Sequence, residues 1–512
     1  MVGAAAQHGA AAHQQWRAAA RGLARAVAAE SAEGGAQPLP LDVLWETYGE
    51  QSTKWFYQLM PRAVGEGPVG GITSVWHLDQ PGGQEVAHSV HDPGGVAKVG
   101  DLLSAYFDGQ AGGLFAPGNV SVAAQDLLLA AVDRFVPAEE ALHCMGPSLD
   151  GTVTLACLAA TLEGTAGGKA PGSDGLSFEV YKVFWEVLGQ PLADCFNEAF
   201  SASPDGLLLT ASQRQGVITL IHKGGGKPED VVAAYRPITL LNTDVKLLAR
   251  VMVARLAPAL EAVIDPTQTA FLPGRWIGDN VLFHLEEIDF CQQEKVPACV
   301  VFLDFEKAYD RLDRGWLFRC IDRLGFPPAV TRWVGLLLRG GTAGVLYHGY
   351  LSPWVQVLSG VAQGSPLSPP LYLIAAQPLA ARLRQLQAQG LVDALLLPGG
   401  VPAPPCQQHA DDTTLHARTP EGALAALNLA VRPFSEASNA RLNVAKSHGM
   451  LLGVEATAAA RAAAEAVVGV PFGDPKGHQR HLGILLSADD QEAAGHQGDV
   501  CQAQGRGVPS CD

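Results

Sequence analysis

Several patterns that identify common protein classes are missing from this sequence. Its nine cysteines include no Cys-x-x-Cys pair, which argues against a zinc finger or zinc knuckle and fits reduced intracellular thiols better than a disulfide framework. No apolar run reaches the roughly 18–20 residues that a membrane span needs. Charged residues make up only 17% of the chain, and the net charge is −16. That balance argues against nucleic-acid binding over the whole surface.

Common phosphate-loop and hydrolase motifs are missing as well. Segment 224–228 reads GGGKP, but the first glycine of a Walker loop is absent and a proline follows Lys227. Neither Gly-x-Ser-x-Gly nor His-Glu-x-x-His occurs in the chain. No motif therefore supports a P-loop nucleotidase, an α/β-hydrolase or a zinc protease.

The composition that remains is globular and rich in turn-forming residues. Hydrophobic residues make up 48%, with 57 glycines and 34 prolines, and 512 residues suffice for two to four domains with a sizeable core. Between residues 213 and 256, basic residues outnumber acidic ones, so a basic strip lies inside an acidic chain. Its basic residues are Arg214, Lys223, Lys227, Arg236, Lys246, Arg250 and Arg255.

The chain divides by pattern into four segments. Segment 1–150 is predicted to be a partly helical N-terminal extension or linker. Its first 29 residues hold three arginines and no acid, which fits an alanine-rich helix or, as the weaker alternative, an organelle transit peptide. Segments 151–290 and 291–486 carry clear helix and strand patterns, and the polar segment 487–512 is predicted to be disordered.

Hydrophobic periodicity predicts the main elements of the two central segments. Strands are expected at 216–221 and 299–303, and a hairpin at 345–350 and 354–358. Helices are expected at 178–188, 244–262, 314–324 and 371–389. The proline- and glycine-containing stretch 396–405 is expected to be a loop.

Three acidic residues stand at chemically suggestive places. Asp304 directly follows the buried strand 299–303, and Asp411 and Asp412 lie between two short extended runs, where a hairpin turn is expected. Taken singly, Asp304 fits a helix cap, and the acidic pair fits an ordinary turn. Together they are the carboxylates that two-metal phosphoryl transfer requires, although only folding can unite residues so far apart in sequence.

An ordered series of motifs resembles the reverse transcriptases of LINE-type (non-LTR) retrotransposons. The resemblance runs from about residue 45 to 486, and the order of the motifs agrees throughout. The matching stretches are 49–56, 235–242, 268–275, 303–310, 360–369, 409–412, 441–447 and 481–484.

The resemblance implies an α+β fold of the right-hand polymerase type. Segment 151–290 would form helical fingers, and segment 291–486 a palm with an antiparallel sheet, after a mostly helical N-terminal extension. The reverse transcriptase domain itself would cover about 200–486.

The resemblance also implies a metal site. Asp304 and Asp411 would bind two Mg²⁺ ions, with Mn²⁺ as an alternative, and Asp412 would assist. The backbone carbonyl of Phe305 would complete a metal shell.

Further roles carried over from the family concern the nucleotide. Tyr309 would exclude ribonucleotides by a clash with the 2′-hydroxyl, and Gln363 and Gly364 would support the incoming nucleotide and the template. Arg236, with support from Lys223, would hold the triphosphate. Lys446 would be the proton donor to pyrophosphate. Read without the family, Tyr309 fits core packing and Lys446 a solvated charge.

The implied function is RNA-directed DNA synthesis from an RNA template, a DNA primer and dNTPs, in the nucleus or cytoplasm. Two alternatives stay open: an inactive retroelement remnant with a palm fold, and an RNA-binding module based on the basic strip. The sequence departs from the family at His409, where an aromatic residue is usual and where a charged imidazole would lie near the metals. Little of a thumb, and no endonuclease, knuckle or ribonuclease H region, is expected within this chain.

Overall fold

The computed structural model describes residue 72 and residues 74–78, 85–202, 209–224, 226–453, 457–473, 479–481 and 484–486. The helix predicted within residues 1–29, the motif at 49–56 and the tail after 487 lie outside this part of the chain. None of the helices within it has the length and apolar character that a membrane span requires.

Helices and strands are numbered here in chain order. The helices are α1 (Gly95–Phe107), α2 (Val122–Ala130), α3 (Ala138–Met145), α4 (Leu155–Glu163), α5 (Phe178–Val183), α6 (Trp185–Ser201), α7 (Thr243–Val263), α8 (Ile277–Glu294), α9 (Ala308–Arg311), α10 (Arg314–Arg323), α11 (Pro328–Leu338), α12 (Ser368–Ala388), α13 (Pro420–Ala426), α14 (Arg432–Ser438) and α15 (Ala458–Val468). The strands are β1 (Ser74–Leu78), β2 (Glu85–Ser89), β3 (Gln215–His222), β4 (Tyr235–Leu241), β5 (Ala298–Leu303), β6 (Thr342–Tyr347), β7 (Tyr350–Leu351), β8 (Val355–Gln356), β9 (Leu396–Leu397), β10 (Val401–Pro402), β11 (Cys406–His409), β12 (Asp412–Ala417), β13 (His448–Leu452), β14 (Gln479–His481) and β15 (Ile484–Leu486).

A four-stranded antiparallel sheet lies at the centre of the larger core. Its order is β11-β12-β5-β13. β5 is buried at every position because side chains alternate between two hydrophobic clusters: Val301 and Leu303 face one, and Val300 and Phe302 face the other. Burial on both faces explains why this strand is a continuous apolar run rather than an alternating one.

A second sheet joins chain segments that are far apart in sequence. Its order is β4-β3-β6-β7, with β8 also paired to β6. β3 and β4 are antiparallel neighbours, whereas β3 and β6 run parallel. α1 packs against β6 and contributes Val99, Leu103 and Phe107 to the cluster beneath this sheet.

Local sequence signals explain where the central helices begin and end. α10 starts where the Asp313 side chain accepts a hydrogen bond from the Trp316 amide, and it is followed by Gly325 at φ 84° and by Pro327. Thr419 caps α13 in the same way by accepting from Gly422. α12 is buried along most of its length and packs against α10 in the larger core.

Most elements agree with the sequence-based expectations, and three differ in detail. The strands at 216–221 and 299–303 and the helices at 244–262, 314–324 and 371–389 are confirmed within a few residues. The hairpin expected between 345–350 and 354–358 turns earlier, between β6 and β7, and β8 pairs with the start of β6. The helix expected at 178–188 is two helices, which meet at Phe184 (φ −109°, ψ 22°). The loop at 396–405 contains the small hairpin β9–β10.

Candidate active site

The three acidic residues meet at one end of the four-stranded sheet. β11 and β12 form a tight hairpin in which His409 pairs with Asp412, so that Ala410 and Asp411 make the turn. On β12 the partner of Leu303 is Thr413, and continuing this antiparallel register by one residue sets Asp304 opposite Asp412. The tertiary fold thus unites carboxylates that spacing alone could not bring together.

Segment 441–447 runs beside the strand end that carries Asp304. The Asn443 amide donates to the Asp304 carbonyl at 2.8 Å, and the Asp304 amide donates to the Ser447 hydroxyl at 3.2 Å. Lys446 is thereby held next to the acids, with its Nζ 3.4 Å from Asp304 Oδ2. Asp304 caps no helix, because α9 begins only at Ala308.

The pKa shifts of Asp411 and Asp412 reflect burial and repulsion between neighbouring carboxylates. Burial raises the pKa of Asp411, and the Asp304 charge raises it further. Burial, followed by the charges of Asp411 and Asp304, raises the pKa of Asp412 to about 6. Such shifts mean that three negative charges in this place are unfavourable unless cations join them.

Cations line the same cleft as the acids. Desolvation lowers the pKa of Lys223 to about 8, and the nearby charges of Lys307, Lys227, Lys446 and Arg236 add to that effect. A group of like charges around an open cleft is a place where an anion with several charges would be stabilised.

Gln363 and Gly364 hold the loop before α12 against β4. The Thr239 amide donates to the Gln363 carbonyl at 2.6 Å, while the Gln363 side chain donates to Asp310 at 2.8 Å. Gly364 adopts φ 114°, and a Cβ there would lie 2.5 Å from the Thr239 carbonyl oxygen. Position 364 therefore requires glycine for two reasons, the backbone angle and the close approach of β4.

The Tyr309 ring borders the cleft and packs on a second ring behind it. It stacks on Tyr372 with 4.8 Å between ring centroids and 16° between planes. The Tyr309 hydroxyl has no hydrogen-bond partner among the described residues. Its position combines the two interpretations that the sequence left open, since the ring packs against the core and also lines the cleft.

All ten residues singled out from the sequence line this one cleft, which has a volume of about 790 Å³. That volume lies within the usual range of ligand sites, about 300–1,000 Å³. The residues are Lys223, Arg236, Asp304, Phe305, Tyr309, Gln363, Gly364, Asp411, Asp412 and Lys446.

Sequence reasoning missed the residue that supports the acidic turn. Gln268 is buried, and its Oε1 accepts from the Ala410 amide at 2.9 Å while its Nε2 donates to the Ala410 carbonyl at 3.2 Å. Ala410 has φ 56°, an angle that alanine rarely adopts, so these two bonds stabilise a strained turn. A buried glutamine inside the motif 268–275 was the available signal.

Two sequence-based interpretations need correction. A charged His409 near the acids is not favoured, because burial lowers its pKa and its Nδ1 lies 3.0 Å from the Thr269 hydroxyl. The basic strip 213–256 does not form one basic surface. Arg255 is buried and donates to the Gly151 and Thr152 carbonyls, while Arg214 donates to the carbonyls of residues 209 and 340.

Comparison with known proteins gives one family. Residues 221–485 match the family described as "Reverse transcriptase (RNA-dependent DNA polymerase)". The "Transposon TX1 uncharacterized 149 kDa protein" of Xenopus laevis is 31% identical over 312 residues, which are 60% of this chain and 22% of that protein.

Two Drosophila melanogaster proteins are also similar. The "RNA-directed DNA polymerase from mobile element jockey" is 31% identical over 212 residues, 40% of this chain and 22% of the relative. The "Probable RNA-directed DNA polymerase from transposon X-element" is 33% identical over 165 residues, 31% of this chain and 18% of the relative. The chain thus aligns with about a fifth of the length of these relatives. Because the family match spans just over half of its 512 residues, the chain belongs to the reverse transcriptase family.

Proposed function

We propose that this protein is an RNA-directed DNA polymerase of a non-LTR retrotransposon, which extends a DNA primer along an RNA template. The primer 3′-hydroxyl attacks the α-phosphate of a dNTP, a phosphodiester bond forms, and pyrophosphate leaves with loss of the hydroxyl proton. The observation that carries the proposal is the single cleft in which three carboxylates face a group of cations. The names of the two Drosophila relatives agree with this activity.

The donor set of the cleft fits divalent cations such as Mg²⁺ or Mn²⁺. Asp304, Asp411 and Asp412 offer carboxylate oxygens, which hard cations prefer, and the Phe305 carbonyl lies in the same lining. The raised pKa values of Asp411 and Asp412 reflect charge that a bound cation would neutralise. The chemistry that two such ions supply is activation of the primer hydroxyl and neutralisation of charge on the leaving group.

The chain's own residues would bind and orient the nucleotide. Arg236 suits the triphosphate because a guanidinium donates in a fork that matches phosphate oxygens, with Lys223 beside it. Lys446 lies on the acidic side of the cleft, where it would donate a proton to the departing pyrophosphate. Gln363 and Gly364 would support the base pair between nucleotide and template, on the loop fixed by β4.

The two sheets support a division into polymerase subdomains. We assign the palm to segment 291–486, centred on the four-stranded sheet, and the fingers to segment 151–290, within a reverse transcriptase domain of about 200–486. Strand β6 of the palm segment pairs with β3, while β7 and β8 pair with β6, and the pairing of β6 with β3 would tie the two together. Such an enzyme would act inside the cell, in the nucleus or cytoplasm, where its RNA template and dNTPs are present.

The test is primer extension on an RNA template with Mg²⁺. Asp411→Asn keeps the size of the side chain and removes its charge, so we expect a loss of at least about 100-fold in extension, on the order of 3 kcal/mol of transition-state stabilisation. Asp412→Asn should be harmful but less so, because its role is secondary.

The matched control is Asp322→Asn, which removes an exposed acid on α10 and should leave extension unchanged. Circular dichroism checks folding in every variant. Equal extension by Asp411→Asn and wild type would refute the mechanism. A folded but inactive wild type would favour the alternative of a retroelement remnant.

A further inference from the structure

A second cluster of ligand-type side chains lies outside the cleft. His284 and Glu287 stand three positions apart on α8, which places them on one face of the helix, and His416 reaches them from β12. His416 lies four residues along β12 from Asp412, about 13 Å at 3.3 Å per residue. The cluster is therefore separate from the acidic site.

All three side chains are removed from solvent. Their exposed fractions are 2% for His284, 2% for Glu287 and 1% for His416. Phe283 and Phe302 pack edge-on against the two imidazoles, so the surroundings are apolar. A carboxylate in such a place costs several kcal/mol unless a cation accompanies it, by the usual penalty for a buried ion.

The two histidines are the partners of the Glu287 carboxylate. In the part of the chain that the structure describes, they are the basic side chains within ion-pair distance of it, and no lysine or arginine is among them.

The geometry gives each carboxylate oxygen its own imidazole. Glu287 Oε1 lies 2.9 Å from His416 Nδ1, and Oε2 lies 3.7 Å from His284 Nδ1. Ligand atoms of a tetrahedral zinc ion with bonds near 2.0–2.1 Å lie about 3.3 Å apart, and the two observed distances bracket that value. The three ligand atoms all fall within 4.8 Å of one another.

A shared proton explains only part of this arrangement. One proton accounts for the 2.9 Å contact between His416 and Glu287. The second imidazole is stacked on the first at 5.2 Å, and its Nδ1 is turned to the other oxygen at 3.7 Å, which is too long for a hydrogen bond. Charging both rings would set two cations face to face, whereas one divalent ion between them would use both neutral rings and the carboxylate.

We propose that His284, Glu287 and His416 bind a structural zinc ion that fastens α8 to β12, the strand that begins at Asp412. Two imidazole nitrogens and a carboxylate are donors that suit Zn²⁺. Each of the three residues supplies one ligand atom, and the fourth tetrahedral position would be taken by a water molecule or by a longer contact to the second Glu287 oxygen. The proposal does not depend on the polymerase activity.

The first experiment measures zinc in the purified full-length protein. Wild type, Glu287→Gln and a control, His448→Asn, are prepared from zinc-supplemented cells, passed over a sizing column and analysed by mass spectrometry of metals. His448 lies on β13, which β5 separates from β12, and it stacks on Phe302 but is outside the cluster. We expect about one zinc per chain in wild type and control, and at least a tenfold loss in Glu287→Gln.

A second measurement holds even if Glu287→Gln folds poorly. A strong zinc chelator should lower the melting temperature of wild type and of Asp411→Asn by the same amount, because the acidic site is not the zinc site, and added Zn²⁺ should restore it. No zinc above the level of Glu287→Gln, or a melting temperature that the chelator leaves unchanged, would overturn the proposal and leave a proton-bridged ion pair. Normal primer extension by a zinc-free protein would leave the proposed polymerase function intact.

Discussion

At the scale of single residues, we propose that the ring of Tyr309 determines which sugar the cleft accepts. Its stacking on Tyr372 fixes the ring plane, and its hydroxyl makes no hydrogen bond among the described residues. The contact surface of the ring, rather than its polar atom, therefore defines that wall of the cleft. A fixed wall discriminates by clash, which rejects an added hydroxyl without needing a hydrogen bond.

Two substitutions of Tyr309 should distinguish the effect of the ring on sugar selectivity from that of the hydroxyl. Tyr309→Ala should admit ribonucleotides, with the preference for dNTPs falling by about 100-fold or roughly 3 kcal/mol, while use of dNTPs persists. Tyr309→Phe is the matched control, because it keeps the ring and should keep the selectivity. Competition between dNTPs and NTPs in primer extension measures both. Unchanged selectivity in Tyr309→Ala would assign the ring to core packing alone.

At the scale of secondary-structure elements, the hairpin β11–β12 is held in place by segment 267–269. The Gln408 amide donates to the Thr267 carbonyl and the Thr269 amide donates to the Gln408 carbonyl, both at 3.0 Å, so this segment extends the sheet edge beyond β11. Gln268 then clamps the turn itself with its side chain. The position of Asp411 depends on an element that contributes no acid to the site.

Gln268→Met keeps the volume but leaves the Ala410 amide and carbonyl without these partners. Unsatisfied buried groups cost about 1–3 kcal/mol each, so the melting temperature should fall. Because the turn positions Asp411, extension should also need a higher Mg²⁺ concentration for half-maximal rate. Gln377→Met is the matched control: it removes another buried glutamine, whose Oε1 accepts from the Asp265 amide, and should lower stability without changing the Mg²⁺ requirement. The same Mg²⁺ response in both variants would show that Gln268 acts on stability alone.

The sequence predicted individual helices and strands better than it predicted which strands pair with each other. The apolar run that forms β5 and the caps of α10 are local signals, and both were sufficient. The parallel pairing of β3 with β6 joins segments more than a hundred residues apart and has no local signature. The ten residues that line the cleft were singled out through ordered motifs. Gln268 also lies in one of those motifs, but its support of the turn, like the cluster of His284, Glu287 and His416, is visible only in contacts between elements.

At the scale of the whole molecule, the overall negative charge of the chain contrasts with a local group of positive charges. The chain carries a net charge of −16, yet a group of cations lines the cleft beside the three acids. Some of the carboxyl groups that make the chain acidic are buried in the folded protein. Asp310 is 3% exposed, and its carboxylate accepts a hydrogen bond from Gln363 at 2.8 Å.

Asp310 should make the stability of the fold depend on pH. Burial raises the pKa of this carboxyl group to about 7, although Lys307, Gln363, Arg311 and Lys223 lower it in part. The folded state therefore binds a proton that the unfolded chain has already lost above its usual pKa near 4, so stability falls as pH rises from about 4 to 7. Between pH 5 and pH 8 the expected loss is on the order of 2–3 kcal/mol.

Urea unfolding at pH 5 and pH 8 tests this expectation. Asp310→Asn cannot ionise and can still accept the bond from Gln363, so its free energy of unfolding should lack this fall and exceed that of wild type most clearly at pH 8. Asp322→Asn, which alters an exposed acid, should follow wild type at both pH values. Tyr106 is also close enough to feel the Asp310 charge, but it titrates above this window because burial raises its pKa from 10.0. If Asp310→Asn loses as much stability as wild type between the two pH values, the pH dependence originates in other buried acids, and Asp310 is ionised in the folded protein.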